Sequence, residues 1–179
     1  MKKVCVYCGS RVPNDSEIID ISKTLGATFA EENVGLVYGG GNVGIMGVIA
    51  DACLENGGEV IGVIPTALKK MEVAHTGLSE LHETQDMHTR KAMMESLSDI
   101  FLVLPGGFGT LDEFFEILTW RQLGFHNKPI ILMNINGYFD GLIHFIERGL
   151  KEDFLQGKAL DLFSIVTNFD DCMELIRAY

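Results

Sequence analysis

The residue types best suited to chemistry lie in one glycine-rich stretch, Leu104–Glu113, which contains Pro105-Gly106-Gly107-Phe108-Gly109-Thr110. The apolar run 100–104 is typical of a buried parallel strand, and a helical pattern of apolar residues begins at Thr110. A strand, a glycine turn and a helix N-terminus in this order bind anions, because free backbone N–H groups and the positive end of the helix dipole point at the turn. The stretch therefore predicts a site for a phosphate or a similar anion.

Glu113 has two interpretations from the sequence. Thr110 and Glu113 have the spacing of a capping box, in which Thr110 would be the N-cap and Glu113 would fold back onto it. Alternatively, Glu113 lies close to a phosphate site and to Trp120 on the same helix, where a carboxylate could act as a catalytic acid or base. The sequence leaves both interpretations open.

Arg90 is a second candidate, because it falls on the apolar side of a predicted helix that Asp86 caps and that ends near Ser98. Its neighbours on the helical wheel are three methionines and a leucine, and an unpaired buried charge costs on the order of several kcal/mol. Two outcomes are open. The side chain either extends past the methionines to water, or it reaches, together with Lys91, a phosphate or carboxylate in a crevice.

The elements that must position these residues alternate between strand and helix along the whole chain. This alternation predicts an α/β fold: one Rossmann-like nucleotide-binding domain over residues 1–179, with a doubly wound parallel sheet in three αβα layers. Three predicted strands are each followed by a glycine turn, at Gly9-Ser10, Gly39–Gly44 and Gly106–Gly109. Ligands of such sheets bind beyond the carboxyl ends of the strands, so the three turns predict a nucleotide-like ligand.

Composition excludes several classes of partner. The net charge of −11 over 179 residues argues against a nucleic acid polymer or an anionic membrane surface as partner. No apolar segment approaches the length of a membrane span, and the apolar run near the N-terminus is too short for a signal peptide. The four cysteines fit reduced thiols, which are typical of the cytoplasm, so we expect a cytoplasmic protein.

Common metal and cofactor patterns are incomplete. Cys5 and Cys8 lie three residues apart in a predicted strand and so face opposite sides, and the five histidines lack metal-ligand spacing, so no metal is expected. Gly39–Gly44 matches the dinucleotide glycine pattern, but the next strand ends at Pro65 without the acidic residue that would hold a ribose hydroxyl. We therefore do not expect a bound NAD.

The stretch Pro105–Glu113 resembles the PGGxGTxxE signature of the Lonely Guy (LOG) family of phosphoribohydrolases. The similarity covers nearly the whole chain, since Tyr38–Gly47 resembles the family's second glycine turn and Met87–Met94 its M-x-x-RK-x-x-M helix. The resemblance implies hydrolysis of the N-glycosidic bond of a purine nucleoside 5′-monophosphate, with adenine or an N6-modified adenine as the base. It also implies a homodimer with sites near the subunit interface, and no metal or organic cofactor.

Residue roles follow from the same resemblance. Arg90 and Glu113 would be catalytic. The substrate would bind to Glu72, Arg90, Lys91, Gly106, Gly107, Phe108, Gly109, Thr110, Leu111, Asp112 and Thr119. Given this role for the turn, we expect Ser10 and Gly41 to help to hold the 5′-phosphate. The motif at Glu72 departs from the family's usual Arg-Glu, because Met71 precedes it.

A non-catalytic protein is the main alternative. A carrier or sensor of a nucleotide-like ligand, such as the molybdenum-cofactor carriers of similar fold, would use the same crevice without needing Glu113. The lysine decarboxylase label often attached to this family has no support in the sequence, because no lysine lies in a context that suggests a pyridoxal phosphate Schiff base.

Overall fold

A computed structural model describes residues 1–69, 74–155, 157 and 159–179. Its strands and helices follow in the order β1 (Lys3–Tyr7), α1 (Ser16–Glu31), β2 (Gly35–Tyr38), α2 (Gly44–Glu55), β3 (Val60–Pro65), β4 (Glu80–Thr84), α3 (Met87–Ser96), β5 (Ile100–Val103), α4 (Phe108–Gln122), β6 (Ile130–Met133), α5 (Asp140–Lys151), β7 (Ser164–Val166) and α6 (Phe169–Ala178). Short 3₁₀ turns at Ile135–Gly137 and Ala159–Leu162 precede α5 and β7. The predicted alternation of strands and helices is confirmed.

The strands form a parallel sheet in the order β4-β3-β2-β1-β5-β6-β7. The chain first moves outward from β1 to β4 and then returns to the other side of β1, so the winding direction reverses between β1 and β5. Val4 lies opposite Ile100 and Tyr7 opposite Val103 in this central pair. The turns that follow β1 and β5 therefore lie side by side, at the point where doubly wound sheets bind ligands.

Two buried clusters cover the two faces of the sheet and confirm the three-layer arrangement. Helices α1, α2 and α6 pack on one face, where Val4 and Val6 of β1 point. Helices α3, α4 and α5 pack on the other face, where Cys5 and Tyr7 point. Alternate residues of a strand face opposite sides, so each strand contributes to both cores.

Side chains cap three of the helices. Asp15, Asp86 and Asn168 accept hydrogen bonds from backbone N–H groups in the first turns of α1, α3 and α6. The predicted cap at Asp86 is therefore confirmed, and it fixes the start of the helix that carries Arg90. In the described ranges, no helix is both long and apolar enough to cross a membrane.

Candidate active site

The N-terminus of α4 lies beside the end of β1 with its first backbone N–H groups uncapped. Helix α4 begins at Phe108, Gly107 is its N-cap, and no side-chain cap is formed there within the described part of the chain. The amide of Leu111 makes the first intrahelical bond, to Gly107 O at 3.1 Å. Thr110 therefore lies inside the first turn, and its interpretation as the N-cap of a capping box is wrong. The uncapped turn retains the donors and the positive dipole end that attract an anion.

The Thr110 side chain adds a polar atom to this turn. Thr110 is buried, and its Oγ1 has no hydrogen-bond partner among the residues that the structure describes. A Cβ on Gly106 would collide with this hydroxyl and with the backbone nitrogen of Gly9. The glycine thus lets the turns after β1 and β5 approach each other. A buried hydroxyl without a protein partner is costly unless a ligand or water satisfies it.

A cavity of about 140 Å³ opens at this point. Its lining is formed by Cys8, Ser10, Met46, Arg90, Gly107, Phe108, Gly109, Thr110 and Glu113. Met46 belongs to the first turn of α2, which also lacks a side-chain cap in the described structure. The cavity brings the two predicted catalytic residues together with Ser10 and most of the predicted phosphate turn.

Carbonyl groups at the ends of two strands hold the Arg90 guanidinium. Nε donates to Val63 O at 3.0 Å, and Nη2 donates to Gly39 O at 3.0 Å. The side chain is only 4% exposed, so the interpretation that it extends to water is wrong. Two backbone carbonyls fix the orientation of the cation while the residue lines the cavity, where a positive charge favours an anionic or developing negative group.

Glu113 lines the same cavity from the second turn of α4 and is 8% exposed. Burial raises the pKa of the Cys8 thiol, and the nearby Glu113 carboxylate raises it further. The same two causes operate on Cys5. Both cysteines therefore remain protonated near neutral pH and are poor nucleophiles.

Lys91 connects α3 to α4 instead of pointing into the cavity. Its Nζ donates to Asp112 Oδ2 at 3.0 Å and lies 2.5 Å from Glu116 Oε2. Burial lowers the pKa of the Lys91 ammonium, but the hydrogen bonds to Glu116 and Asp112 outweigh this effect, so the net shift is upward. The ion pairs hold the helix that carries Arg90 against the helix that carries Glu113.

A second cavity, of about 290 Å³, adjoins the first. Ser10 and Gly107 line both, and Val12, Ile45 and Tyr138 contribute to its largely apolar remainder. The two cavities together form a crevice across the switch point. One part is charged and polar, and the other is mainly apolar with Arg11 in its lining.

Comparison with known proteins identifies the family of this chain. A family model described as possible lysine decarboxylase matches residues 46–176. The cytokinin riboside 5′-monophosphate phosphoribohydrolase LOG1 of Arabidopsis thaliana is 41% identical over 98% of this chain and 81% of its own length. A relative from Rhodococcoides fascians, also named a cytokinin riboside 5′-monophosphate phosphoribohydrolase, is 42% identical over 99% of this chain and 90% of its own. The chain belongs to the Lonely Guy family.

Each key residue of the Lonely Guy motif has a structural role in this turn and helix. Gly106 permits close contact between two turns, Gly107 is the N-cap of α4, and Thr110 provides the buried hydroxyl. Glu113 follows one helical turn after Thr110 and so faces the same cavity. The spacing of the motif places an anion site and a carboxylate on one side of α4.

The matching family model is described as possible lysine decarboxylase, whereas the Lonely Guy relatives are named phosphoribohydrolases. The surroundings of Lys91 bear on the choice between these two activities. A lysine that forms a Schiff base must lose its proton, which a lowered pKa favours. Lys91 is buried near the cavity, but its carboxylate partners raise its pKa. It is therefore unsuited to a Schiff base, and the site favours the phosphoribohydrolase description.

Solved structures of low sequence identity share the fold of this Lonely Guy protein. The molybdenum cofactor carrier protein of Chlamydomonas reinhardtii superposes with a TM-score of 0.74 over 99% of this chain and 96% of that one, at 16% sequence identity. A likeness at this identity concerns the fold only. It confirms the Rossmann-like architecture.

Several residues that the Lonely Guy resemblance assigns to substrate lie outside the cavity. Leu111, Asp112 and Thr119 line a depression on the outer side of α4. Gly41 forms a backbone bridge with Ala74 and is absent from the described lining. Glu72 lies outside the described residues. The substrate contacts of these residues stay predictions.

Several residues of the site carried no expectation from the sequence. Cys8 and Met46 line the cavity, Glu116 binds Lys91, and Tyr138 lines the neighbouring cavity. Glu116 had a usable signal, because it follows Asp112 by four residues and shares its helix face. The others had none. Within the described ranges, no group of three or more His, Cys, Asp or Glu residues could hold a metal ion.

Proposed function

We propose that this protein hydrolyses the N-glycosidic bond of a purine nucleoside 5′-monophosphate to give the free base and ribose 5-phosphate. One observation carries the proposal: buried Arg90 and Glu113 line a single cavity at the uncapped N-terminus of α4. An anion site beside a fixed cation and a carboxylate supplies the groups that this reaction needs. The Lonely Guy relatives are named for the same reaction class.

The 5′-phosphate would bind at the start of α4. The backbone N–H groups of Gly107, Phe108, Gly109 and Thr110 and the Thr110 hydroxyl would be its donors, and the helix dipole favours its charge. Ser10 lies across the cavity from this turn, and we include Gly41 as a further contact. These contacts hold the substrate without taking part in bond cleavage.

Cleavage of the bond between C1′ and the base nitrogen passes through a state with oxocarbenium character. The Glu113 carboxylate would stabilise this cation and accept a proton from the attacking water. The water oxygen bonds to C1′ as its proton passes to Glu113, and the base leaves with the bonding electron pair and takes up a proton from solvent, to which Glu113 later releases its own. Arg90, fixed by Val63 O and Gly39 O, would bind the ribose phosphate or the departing base.

The base is proposed to be adenine or an N6-modified adenine, because the relatives are named for cytokinin riboside monophosphates. Glu72, Lys91, Leu111, Asp112 and Thr119 complete the proposed substrate contacts. Three of these line the outer side of α4 rather than the cavity. They would meet a substrate most simply across a subunit interface.

A homodimer through this outer face is part of the proposal. The side chain of Phe108 is 94% exposed, and Phe115 and Leu123 on the same helix are also exposed. Exposed apolar residues next to a binding site favour a protein contact. We place the dimer in the cytoplasm, because the four cysteines are free and buried. Each chain would act as a single nucleotide-binding domain.

Chromatographic detection of the free base tests the function. The protein is incubated with AMP and, separately, with N6-isopentenyladenosine 5′-monophosphate, beside a Glu113→Gln variant. Wild type should release base and ribose 5-phosphate in equal amounts, and the variant should release little. Binding of either nucleotide without release would contradict the proposal and indicate a carrier or sensor instead.

A further inference from the structure

Tyr138, in the connection between β6 and α5, contacts the glycine turn that follows β5. Its hydroxyl donates a hydrogen bond to Gly106 O at 2.7 Å, across 32 positions of the sequence. Gly106 immediately precedes Gly107, the N-cap of α4. Tyr138 does not line the charged cavity, so it has no assigned role in the reaction.

The geometry of a peptide group gives this hydrogen bond a consequence. In a trans peptide the C=O and the following N–H point in opposite directions. With Gly106 O held by Tyr138, the N–H of Gly107 must point away from Tyr138. Two consecutive glycines can otherwise rotate freely, and a flipped peptide would present its carbonyl oxygen where the amide should be. A carbonyl oxygen there would repel a phosphate.

The segment that carries Tyr138 is itself fixed. Buried Asn134 accepts a hydrogen bond from Phe139 N at 2.7 Å and donates to Asp140 Oδ1 at 2.8 Å. The Tyr138 ring packs edge-on against the Phe139 ring, at 5.0 Å between centroids. These contacts fix the backbone next to Tyr138 and support one side of its ring, while the rest of the side chain is exposed.

A second asparagine ties the same segment to the start of α1. Asn136 has a left-handed backbone with φ of 50°, and its Nδ2 donates to Asp15 Oδ2 at 2.9 Å and to Glu17 Oε2 at 2.8 Å. The loop between β1 and α1, which includes Ser10, ends at this point. The connection from β6 to α5 thus links both turns that border the crevice.

We propose that Tyr138 is a positioning residue that orients the Gly106–Gly107 peptide so that its amide can bind the substrate's phosphate. The identity of the anion rests on the proposed function, and the orienting role rests on the hydrogen bond to Gly106. The hydroxyl acts on the binding of any phosphorylated ligand, before and after cleavage alike. It therefore affects KM and product affinity rather than the chemical step.

Titration calorimetry with Tyr138→Phe tests this inference. Losing one hydrogen bond should weaken the affinity for ribose 5-phosphate and inorganic phosphate about 3- to 10-fold. The KM for AMP should rise by a similar factor, with kcat within about twofold. Tyr179→Phe, which removes the hydroxyl of an exposed tyrosine at the C-terminus, is the matched control and should bind like wild type.

A second variant separates the hydroxyl from the ring. Tyr138→Leu, which also removes the packing on Phe139, should lose no more phosphate affinity than Tyr138→Phe. Unchanged phosphate affinity in Tyr138→Phe would overturn the inference. If Tyr138→Leu alone lost affinity, the ring and not the hydroxyl would be responsible. Wild-type binding of ribose 5-phosphate without base release from AMP would contradict the proposed hydrolysis, yet the comparison of affinities would still decide the role of Tyr138. A wild type that binds neither anion would overturn both.

Discussion

Arg90 donates a hydrogen bond from Nη2 to the carbonyl oxygen of Gly39, which precedes it by 51 positions. A Cβ on Gly39 would collide with this guanidinium nitrogen. The position after β2 must therefore be glycine to make room for the Arg90 side chain from α3, whether or not a ligand also approaches it. The glycine turn therefore helps to position a residue that we propose to be catalytic.

Gly39→Ala should displace the Arg90 guanidinium and lower kcat/KM about 10- to 10³-fold, because small errors in the position of a reacting group are costly. The control is Gly141→Ala, where an added Cβ meets no atom within 4 Å and the residue lies in helix α5. This control should keep full activity. A folded Gly39→Ala protein with wild-type kcat/KM would contradict the proposed role of the guanidinium.

Glu113→Gln should lower kcat about 10²- to 10⁴-fold, because the amide can neither stabilise a cation nor accept a proton. The unfolding free energy should not lose the contribution of about 1 kcal/mol that a helix cap supplies, since α4 does not depend on Glu113 for its cap. Glu174→Gln, on the exposed side of α6, is the control for loss of a carboxylate. Steady-state kinetics and thermal unfolding check both parts, and a fully active Glu113→Gln protein would exclude the carboxylate from catalysis.

Lys91→Met should destabilise the protein by about 1–3 kcal/mol near neutral pH, because it breaks the ion pairs of a buried lysine with half-buried Glu116 and exposed Asp112. The folded-state pKa of Lys91 lies above its ordinary value of 10.5. A raised pKa means that the stabilisation is fully present below 10.5 and is lost as the pH rises through the folded-state pKa.

The difference in melting temperature between wild type and Lys91→Met should therefore stay constant from about pH 7 to pH 9 and shrink above about pH 10.5. Lys23→Met, at an exposed position of α1, should shift the melting temperature little at any of these pH values. A difference that persisted unchanged above the folded-state pKa would show that apolar packing of the lysine stem, rather than the ion pairs, stabilises the fold.

Thr110→Val should lower the affinity for ligand without lowering the stability of the fold. Without ligand, replacing a buried hydroxyl that lacks a partner in the described structure by a methyl group should leave the unfolding free energy unchanged or raise it by up to about 1 kcal/mol. Affinity for ribose 5-phosphate should fall. Thr110→Ser, which keeps the hydroxyl, should bind more tightly than Thr110→Val. Lower stability together with unchanged affinity in Thr110→Val would assign the hydroxyl a structural role.

Phe115→Glu should convert the proposed dimer into a monomer, measured by light scattering coupled to size-exclusion chromatography. A charge placed in an apolar interface must lose its water on association. Phe154→Glu, at an exposed phenylalanine outside α4, should remain dimeric. The opposite pattern would move the interface to the surface around Phe154, and a monomeric wild type would remove the dimer from the proposal.

Local sequence patterns predicted much of the fold. Apolar runs, glycine turns and helical periodicity fall within a few residues of one another, so they identified the strands and the anion turn after β5. The same local view placed the start of α4 at Thr110, although the helix begins at Phe108. Threonine and glycine are about equally good N-caps by propensity, so the local sequence does not decide between them, whereas the close approach of Gly106 to Gly9 favours the observed turn.

The sequence by itself determined the α/β order, the glycine turns and the family motif, because each depends on neighbouring residues. Only the tertiary structure decided that Arg90 binds Val63 O and Gly39 O, that Lys91 binds Glu116, and that Tyr138 holds Gly106. These contacts join residues that the order of strands and the packing of helices bring together. Hydrogen bonds act over about 3 Å in space, and no local pattern encodes which distant groups will meet at that distance.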